Sequence, residues 1–194
     1  MVFSTACRSL LFISVFLVVH SLGGCKDYPY ASPSPGVFEV RMKTVSANIP
    51  YGDLNRLPMQ LTAVRAVRSD NAKQDVFEDL RAIRRYTDSY DAFSRAAFDS
   101  TLEIGQTYTP PGSYVGLDIT TQPLGIVILD GYRTIPITYA ADAESFIQLR
   151  TPITVEEGKT TIVVVSFDVD SSLVRGAETF HYNPTFFISS LQIQ

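Results

Sequence analysis

The sequence predicts an all-β protein folded as a sandwich, and three observations carry that prediction. Apolar residues recur at a period of two in run after run, clusters of turn-forming residues separate those runs, and helical spacing is confined to one stretch. A length of 194 residues with 45% hydrophobic content is enough for one well-buried core and hardly for two, so a single domain is expected over residues 37–194.

The first predicted strand is set by Phe38, Val40 and Met42 alternating with Glu39, Arg41 and Lys43, the pattern of a half-buried strand. Met59, Leu61 and Ala63 alternate in the same way until Ala63-Val64 breaks the phase, which predicts a bulge. From 75 to 100, Val76, Leu80 and Ile83 have helical spacing while Arg81, Arg84, Arg85 and Arg95 keep the stretch polar, so either a short helix or an irregular crossover is expected. Val115, Leu117 and Ile119 alternate with Gly116, Asp118 and Thr120. A hairpin follows, with Asp130-Gly131 between the arms 124–129 and 133–137, because Asp-Gly suits a tight turn that needs positive φ. Pro136 lacks a ladder donor, which predicts an edge strand or a missing donor turned outward. Val163, Val165, Phe167 and Val169 form another alternating run, and 186–193 is the closing strand. Pro110-Pro111-Gly112-Ser113 and Glu156-Glu157-Gly158-Lys159 are the remaining turn signals.

Residues 1–24 differ from all of this. A short start with Arg8 leads into the apolar run Leu10 to Val19, interrupted only by Ser14, which is the profile of a secretory signal. The run has about half of the ~20 apolar residues that a spanning helix needs, so a removable leader is expected rather than a permanent span. Leu22-Gly23-Gly24-Cys25 comes directly after it and resembles the lipobox of bacterial lipoproteins. That resemblance implies cleavage between Gly24 and Cys25 and a lipid (diacylglyceryl plus further acylation, of the palmitate type) on the Cys25 sulfur. Small residues before the cut let a peptidase approach the backbone, and the thiol takes the lipid. Residues 26–36 hold three prolines among small and polar residues and read as a tether, so 25–36 is lipidated cysteine plus linker. Lys26-Asp27 resembles the short export signals of surface-exposed lipoproteins of Bacteroidetes-type bacteria, and both surface and periplasmic display stay open. With Cys7 in the leader and Cys25 lipidated, no disulfide is expected in the folded domain.

Composition and motif chemistry narrow the function classes. Charged residues make up 19% and the formal net charge is −4, without a basic stripe, so nucleic acid is not an expected partner. His20 lies in the leader and only His181 follows it; there is no Gly-x-Ser-x-Gly elbow and no thiol nucleophile in the domain, so no catalytic residue, metal or cofactor is expected. His181 reads as a surface or capping residue. Asp168 and Asp170, two apart on a predicted strand, would share one face and are weak binding candidates, as a calcium or glycosidase pair could use them. The competing reading is a solvent-facing pair before a turn at Ser171-Ser172. Tyr86 and Tyr90 in the polar crossover are weak candidates for stacking on a sugar, and the absence of Trp counts against that use. Tyr108 and Tyr114 beside the Pro-Pro-Gly turn are expected to pack.

Four segments carry a family resemblance: Pro111-Gly112-Ser113-Tyr114-Val115-Gly116-Leu117-Asp118-Ile119, Val155 to Ile162 with its Gly158-Lys159-Thr160-Thr161 turn, Val165 to Leu173 with Phe167-Asp168, and Tyr182-Asn183-Pro184-Thr185-Phe186. Together they resemble bacterial lipoproteins that carry the domain of unknown function forty-three eighty-two, over roughly Gly36 to Gln194. The resemblance implies a single antiparallel β-sandwich, an immunoglobulin-like or transthyretin-like Greek key, on an envelope lipoprotein with no established catalytic role. Residues 70–98 fit the family pattern poorly. The expected function is therefore a non-enzymatic binding or structural module, held by lipid on Cys25 at the outer membrane and meeting a protein or glycan partner. A small surface-fibre subunit or a glycan-binding accessory protein is the alternative, and a carboxylate-based hydrolase the third reading.

Overall fold

The computed structural model describes residues 32–48, 57–78, 90–92, 95–122, 127–130, 133–139 and 146–194. The chain divides at Ser32/Pro33, and Pro33–Gln194 forms one compact unit. In the larger unit the described strands are β1 (Gly36–Val45), β2 (Pro58–Arg68), β3 (Lys73–Glu78), β4 (Tyr90–Asp91), β5 (Leu102–Thr109), β6 (Gly112–Gln122), β7 (Val127–Asp130), β8 (Arg133–Tyr139), β9 (Phe146–Val155), β10 (Thr160–Asp168), β11 (Leu173–Arg175), β12 (Phe180–Tyr182) and β13 (Phe186–Ile193). The described helices are single turns, α1 (Arg95–Asp99) and α2 (Val169–Ser172).

The fold is all-β. Two main sheets, ordered β13-β10-β1-β5 and β3-β2-β6-β9, enclose the core between them, and a smaller sheet is ordered β11-β12-β8-β7. Phe38, Val40 and Met42 of β1 and Val163, Val165 and Phe167 of β10 meet Val64 and Ala66 of β2, Leu117 and Ile119 of β6, and Ile153 and Val155 of β9. Each of these side chains larger than alanine contributes about 1.5–3 kcal/mol on burial, which is how the domain stands without a disulfide. Pairing is mostly antiparallel, but β1 lies parallel to β10 and β12 parallel to β8. The small sheet joins the core through Phe180 and Tyr182: the Tyr182 ring lies 6.4 Å from Phe167 and its hydroxyl donates to Met59 Sδ at 3.2 Å.

The expected first and last strands are found as β1 and β13, and the Asp130-Gly131 hairpin is found as β7 and β8 with Asp130 opposite Arg133; Gly131 itself lies outside the described residues. β8 is not an edge strand, since it has neighbours on both sides. Its pairing with β12 begins at Ile137, one residue past Pro136, so Pro136 is paired on the β7 side alone. The predicted break near Ala63-Val64 is present as register shifts in β2 between Leu61 and Ala63 against β6 and between Val64 and Arg65 against β3. The helical spacing read from Val76 is overturned at that residue: Val76 is buried in strand β3, where pairing with β2 overrides periodicity, and among the described residues of the stretch a helical turn appears at Arg95–Asp99. Residues 79–89 lie outside the described part.

The β5–β6 corner crosses from one main sheet to the other at Pro110-Pro111, and Tyr114 fastens it. The Tyr114 hydroxyl donates to the Pro110 carbonyl at 2.8 Å and lies 2.6 Å from Thr109 Oγ1. The ring packs at a 52° tilt against Phe38 of the opposite sheet, with centroids 5.8 Å apart. A buried Tyr that hydrogen-bonds a few residues upstream at a sheet-to-sheet corner is a recurring device of Greek-key sandwiches. Tyr114 packs as expected, whereas Tyr108 is 74% exposed. The phase expected for β6 also changes: a register shift between Tyr114 and Gly116 exposes Val115 and buries Tyr114 on the side of Leu117 and Ile119.

Candidate functional site

The weak binding candidates Asp168 and Asp170 do not form a strand pair. β10 ends at Asp168, which caps α2 by accepting from the Ser171 amide at 3.1 Å and the Ser171 hydroxyl at 2.8 Å. A short polar side chain at this position satisfies amides that a helix start leaves open. Asp170 sits inside the turn and reaches the segment after β1, where it accepts from Ser46 Oγ at 2.9 Å, the Ala47 amide at 2.6 Å and the Asn48 amide at 3.0 Å. The same carboxylate takes Asn48 Nδ2 at 3.3 Å. Their one-face arrangement is therefore corrected: the chain turns between them, so one carboxylate faces its own helix and the other a neighbouring loop.

The same end of the sandwich gathers further contacts. Thr44 Oγ1 donates to the Ala92 carbonyl at 2.7 Å, the Ala92 amide donates to the Leu57 carbonyl at 3.0 Å, and the Leu57 amide donates to Asp91 Oδ1 at 3.0 Å. Tyr90, beside Asp91 in β4, lies opposite Met59 in the pairing with β2. Tyr86 lies outside the described residues. His181 of β12 is exposed, with Nδ1 at 3.1 Å from Thr138 Oγ1 of β8, which makes it a strand-to-strand contact of the small sheet.

A second cluster, which the sequence did not single out, lies on the outer face of the β3-β2-β6-β9 sheet. Asp118 alternates with the core residues Leu117 and Ile119 and so points away from the core, yet it is only 2% exposed. Lys73 Nζ from edge strand β3 lies 2.7 Å from Asp118 Oδ2, and Arg150 Nη1 from edge strand β9 lies 3.1 Å from Oδ1. These contacts fall short of aligned hydrogen-bond geometry, so charge attraction rather than directed hydrogen bonds holds the carboxylate. The Lys73 ammonium also lies 5.3 Å from the Phe146 ring centre, within cation–π range. Arg65, opposite Asp118 in register, pairs instead with Asp75 at 2.8 Å. The set carries three cations and two carboxylates and ties four strands together. Buried at 2% exposure and held between two cations, this carboxylate acts as a strut between strands. Composition could not reveal it, because Lys73, Asp118 and Arg150 are far apart in sequence and only strand order brings them together.

Among the described residues, no three His, Cys, Asp or Glu side chains converge on one point, and no helix is long and apolar enough to cross a membrane. No protein-family model, curated protein or solved structure matches this chain.

Proposed function

We propose that this chain is a lipid-anchored lipoprotein of a bacterial envelope, seated in the outer membrane, whose sandwich serves as a non-enzymatic binding or structural module. The observation that carries the reading is Leu22-Gly23-Gly24-Cys25, placed between an apolar leader and a proline-rich linker that enters β1 directly. The two carboxylates that invited a hydrolase or calcium reading are engaged in the fold: Asp168 caps a turn and Asp170 braces a loop. Asp118, which invited neither, is clamped by two cations. Lipid on Cys25 makes the bilayer the first partner, because each buried methylene contributes about 0.8 kcal/mol and two or three acyl chains hold where one does not. Cys25→Ala should abolish incorporation of labelled palmitate and leave uncut precursor in the membrane fraction. Normal processing of that variant to a soluble product would refute the reading.

A second reading, a small surface-fibre subunit, draws on β13. This edge strand carries no charge and exposes Phe187, Leu191 and Ile193 at 40–43%, while the other edges of the two main sheets carry Lys73 and Asp75 (β3), Glu103 (β5) and Arg150 and Pro152 (β9). Charged residues and proline are the usual protection of a sheet edge against pairing with another chain. Light scattering on the domain trimmed before Ser34 should show concentration-dependent polymers if fibres are its role, and a strictly monomeric domain would dismiss it.

A further inference from the structure

Among the described residues β13 is an edge strand, with β10 on one side only. Its register shows which backbone groups are left open. Thr160 and Gln194 exchange both amide-to-carbonyl bonds, at 3.0 and 2.9 Å, and the Asp168 amide donates to the Thr185 carbonyl at 3.0 Å. In an antiparallel ladder such bonded pairs alternate with pairs that exchange no bond. Gln192, Ser190 and Phe187, opposite Ile162, Val164 and Ser166, therefore turn their amides and carbonyls toward β10 as well. The register shifts between Val164 and Val165, so Ser189 is an extra residue on β13, and its hydroxyl donates to the Val164 carbonyl at 3.2 Å. The amides and carbonyls of Phe186, Ile188, Leu191 and Ile193 are what β13 presents on its open side.

These four residues also share a face of the sheet. They lie opposite Phe167, Val165, Val163 and Thr161, which places them on the core side. Phe186 and Ile188 pack into the core, whereas Leu191 and Ile193 are 40% and 43% exposed. Because of the extra Ser189, the four are spaced along the strand by two, three and two residues, the same from either end. A two-fold axis at Ser189-Ser190 sets Phe186 opposite the partner's Ile193, and Ile188 opposite the partner's Leu191. Every open donor then faces an open acceptor, core-side residues stay on one side, and about eight backbone hydrogen bonds form. Any other antiparallel offset leaves at least two of the four residues without a partner. A two-fold also brings each residue close to its own kind, so a charged edge repels its copy; β13 has no charged side chain, while β3, β5 and β9 all do.

We propose that β13 is an interface between two copies of this chain, paired antiparallel about Ser189-Ser190 so that two four-stranded sheets become one continuous sheet. The partner's Phe186 and Ile188 cover the exposed Ile193 and Leu191. The same strand serves in both copies, so the contact closes at two and leaves no β13 for a third. This pairing is independent of lipid on Cys25.

The test uses the full chain with Cys7→Ser and Cys25→Ser, in detergent solution, so that an introduced cysteine is the only thiol. Phe187→Cys and Gln192→Cys are made as separate proteins; both positions are exposed and lie on the face away from the core. In the proposed register position 187 faces the partner's position 192 as a pair that exchanges no bond, with Cα atoms about 4.5 Å apart. Two copies of position 187 are five residues out of step, about 17 Å along the strands. Under mild oxidation a mixture of the two proteins should therefore give at least about ten-fold more covalent dimer than either protein alone. Equal cross-linking in all three samples would overturn the pairing, and an excess in either unmixed sample would overturn the register. Sedimentation of the parent chain between about 1 and 500 μM should show a reversible monomer–dimer equilibrium, since one strand per copy makes a small interface. Leu191→Lys should weaken that equilibrium at least about ten-fold, and Val115→Lys, at an exposed apolar residue of the other main sheet, should leave it unchanged. Equal weakening by both would overturn β13 as the interface. A parent chain that stays monomeric throughout would overturn the proposal and leave the edge to a strand of another protein; assemblies that outgrow a dimer would overturn it in favour of an open fibre. Matching melting curves for all variants exclude misfolding as a source of any of these results.

Discussion

Gly116→Ala should unfold the domain or lower its stability by at least about 3 kcal/mol, the largest effect expected of a methyl addition at any of the described glycines. Gly116 has φ +150° and sits where the pairing of β6 with β9 shifts register beside Val115. A Cβ there would stand 1.9 Å from the Leu149 carbonyl oxygen and 2.9 Å from its carbon, both backbone atoms that cannot swing aside. The strain and the clash act together. The register shift that Gly116 permits is also what turns Tyr114 inward onto Phe38 and the β5–β6 corner, so its loss reaches the corner as well. Gly112→Ala is the control: Gly112 also has positive φ, at +144°, but a Cβ there meets nothing within 4 Å, so backbone strain acts alone. Urea unfolding of both variants separates the two contributions, and a Gly116→Ala protein as stable as the parent would show that β9 moves aside without cost.

Asp118→Leu should lower stability by about 2–3 kcal/mol, which for a domain of this size is a fall in melting temperature of about 5–10 °C. The carboxylate is 2% exposed, while Lys73 and Arg150 are 46% and 44% exposed. Removing it strands two cations over an apolar patch, but their half-exposure lets water screen them, so the loss stays below the 3–5 kcal/mol typical of a fully buried broken pair. Adding Lys73→Met should recover part of the loss, because the methionine then packs where the ammonium had to be solvated. A double variant that is no more stable than Asp118→Leu alone, in a thermal-melt cycle, would show that Lys73 contributes no charge coupling to the clamp.

Asp118 shows why one part of the molecule was legible in sequence and another was not. Its place in an alternating run marks it as facing away from the core, and that is where it lies. Its burial depends on Lys73 and Arg150 reaching inward from the two edge strands, a neighbourhood set by the order β3-β2-β6-β9 and by nothing within the local sequence. Asp168 and Asp170 make the complementary case. A spacing of two puts them on one face only while the strand continues, and the strand stops at Asp168 because that side chain captures the Ser171 amide and starts a helical turn. The competing reading of a turn at Ser171-Ser172 carried the right signal.

Local chemistry by itself determined the all-β class, the alternating strands at 38–42 and 163–167, the closing strand at 186–193, the Asp-Gly hairpin and the glycine-bearing turn at 156–159, where Gly158 takes φ +68°. These follow from side-chain periodicity and from backbone angles open mainly to glycine, and both act over a few residues. Tertiary structure alone decided that β1 lies parallel to β10, that Val76 joins a strand, that Pro136 sits inside a sheet and that Asp118 is clamped. The physical reason is that strand order and register are chosen by burial and pairing between segments far apart in the chain, where the hydrogen-bonding and charge partners of a residue are unrelated to its sequence neighbours.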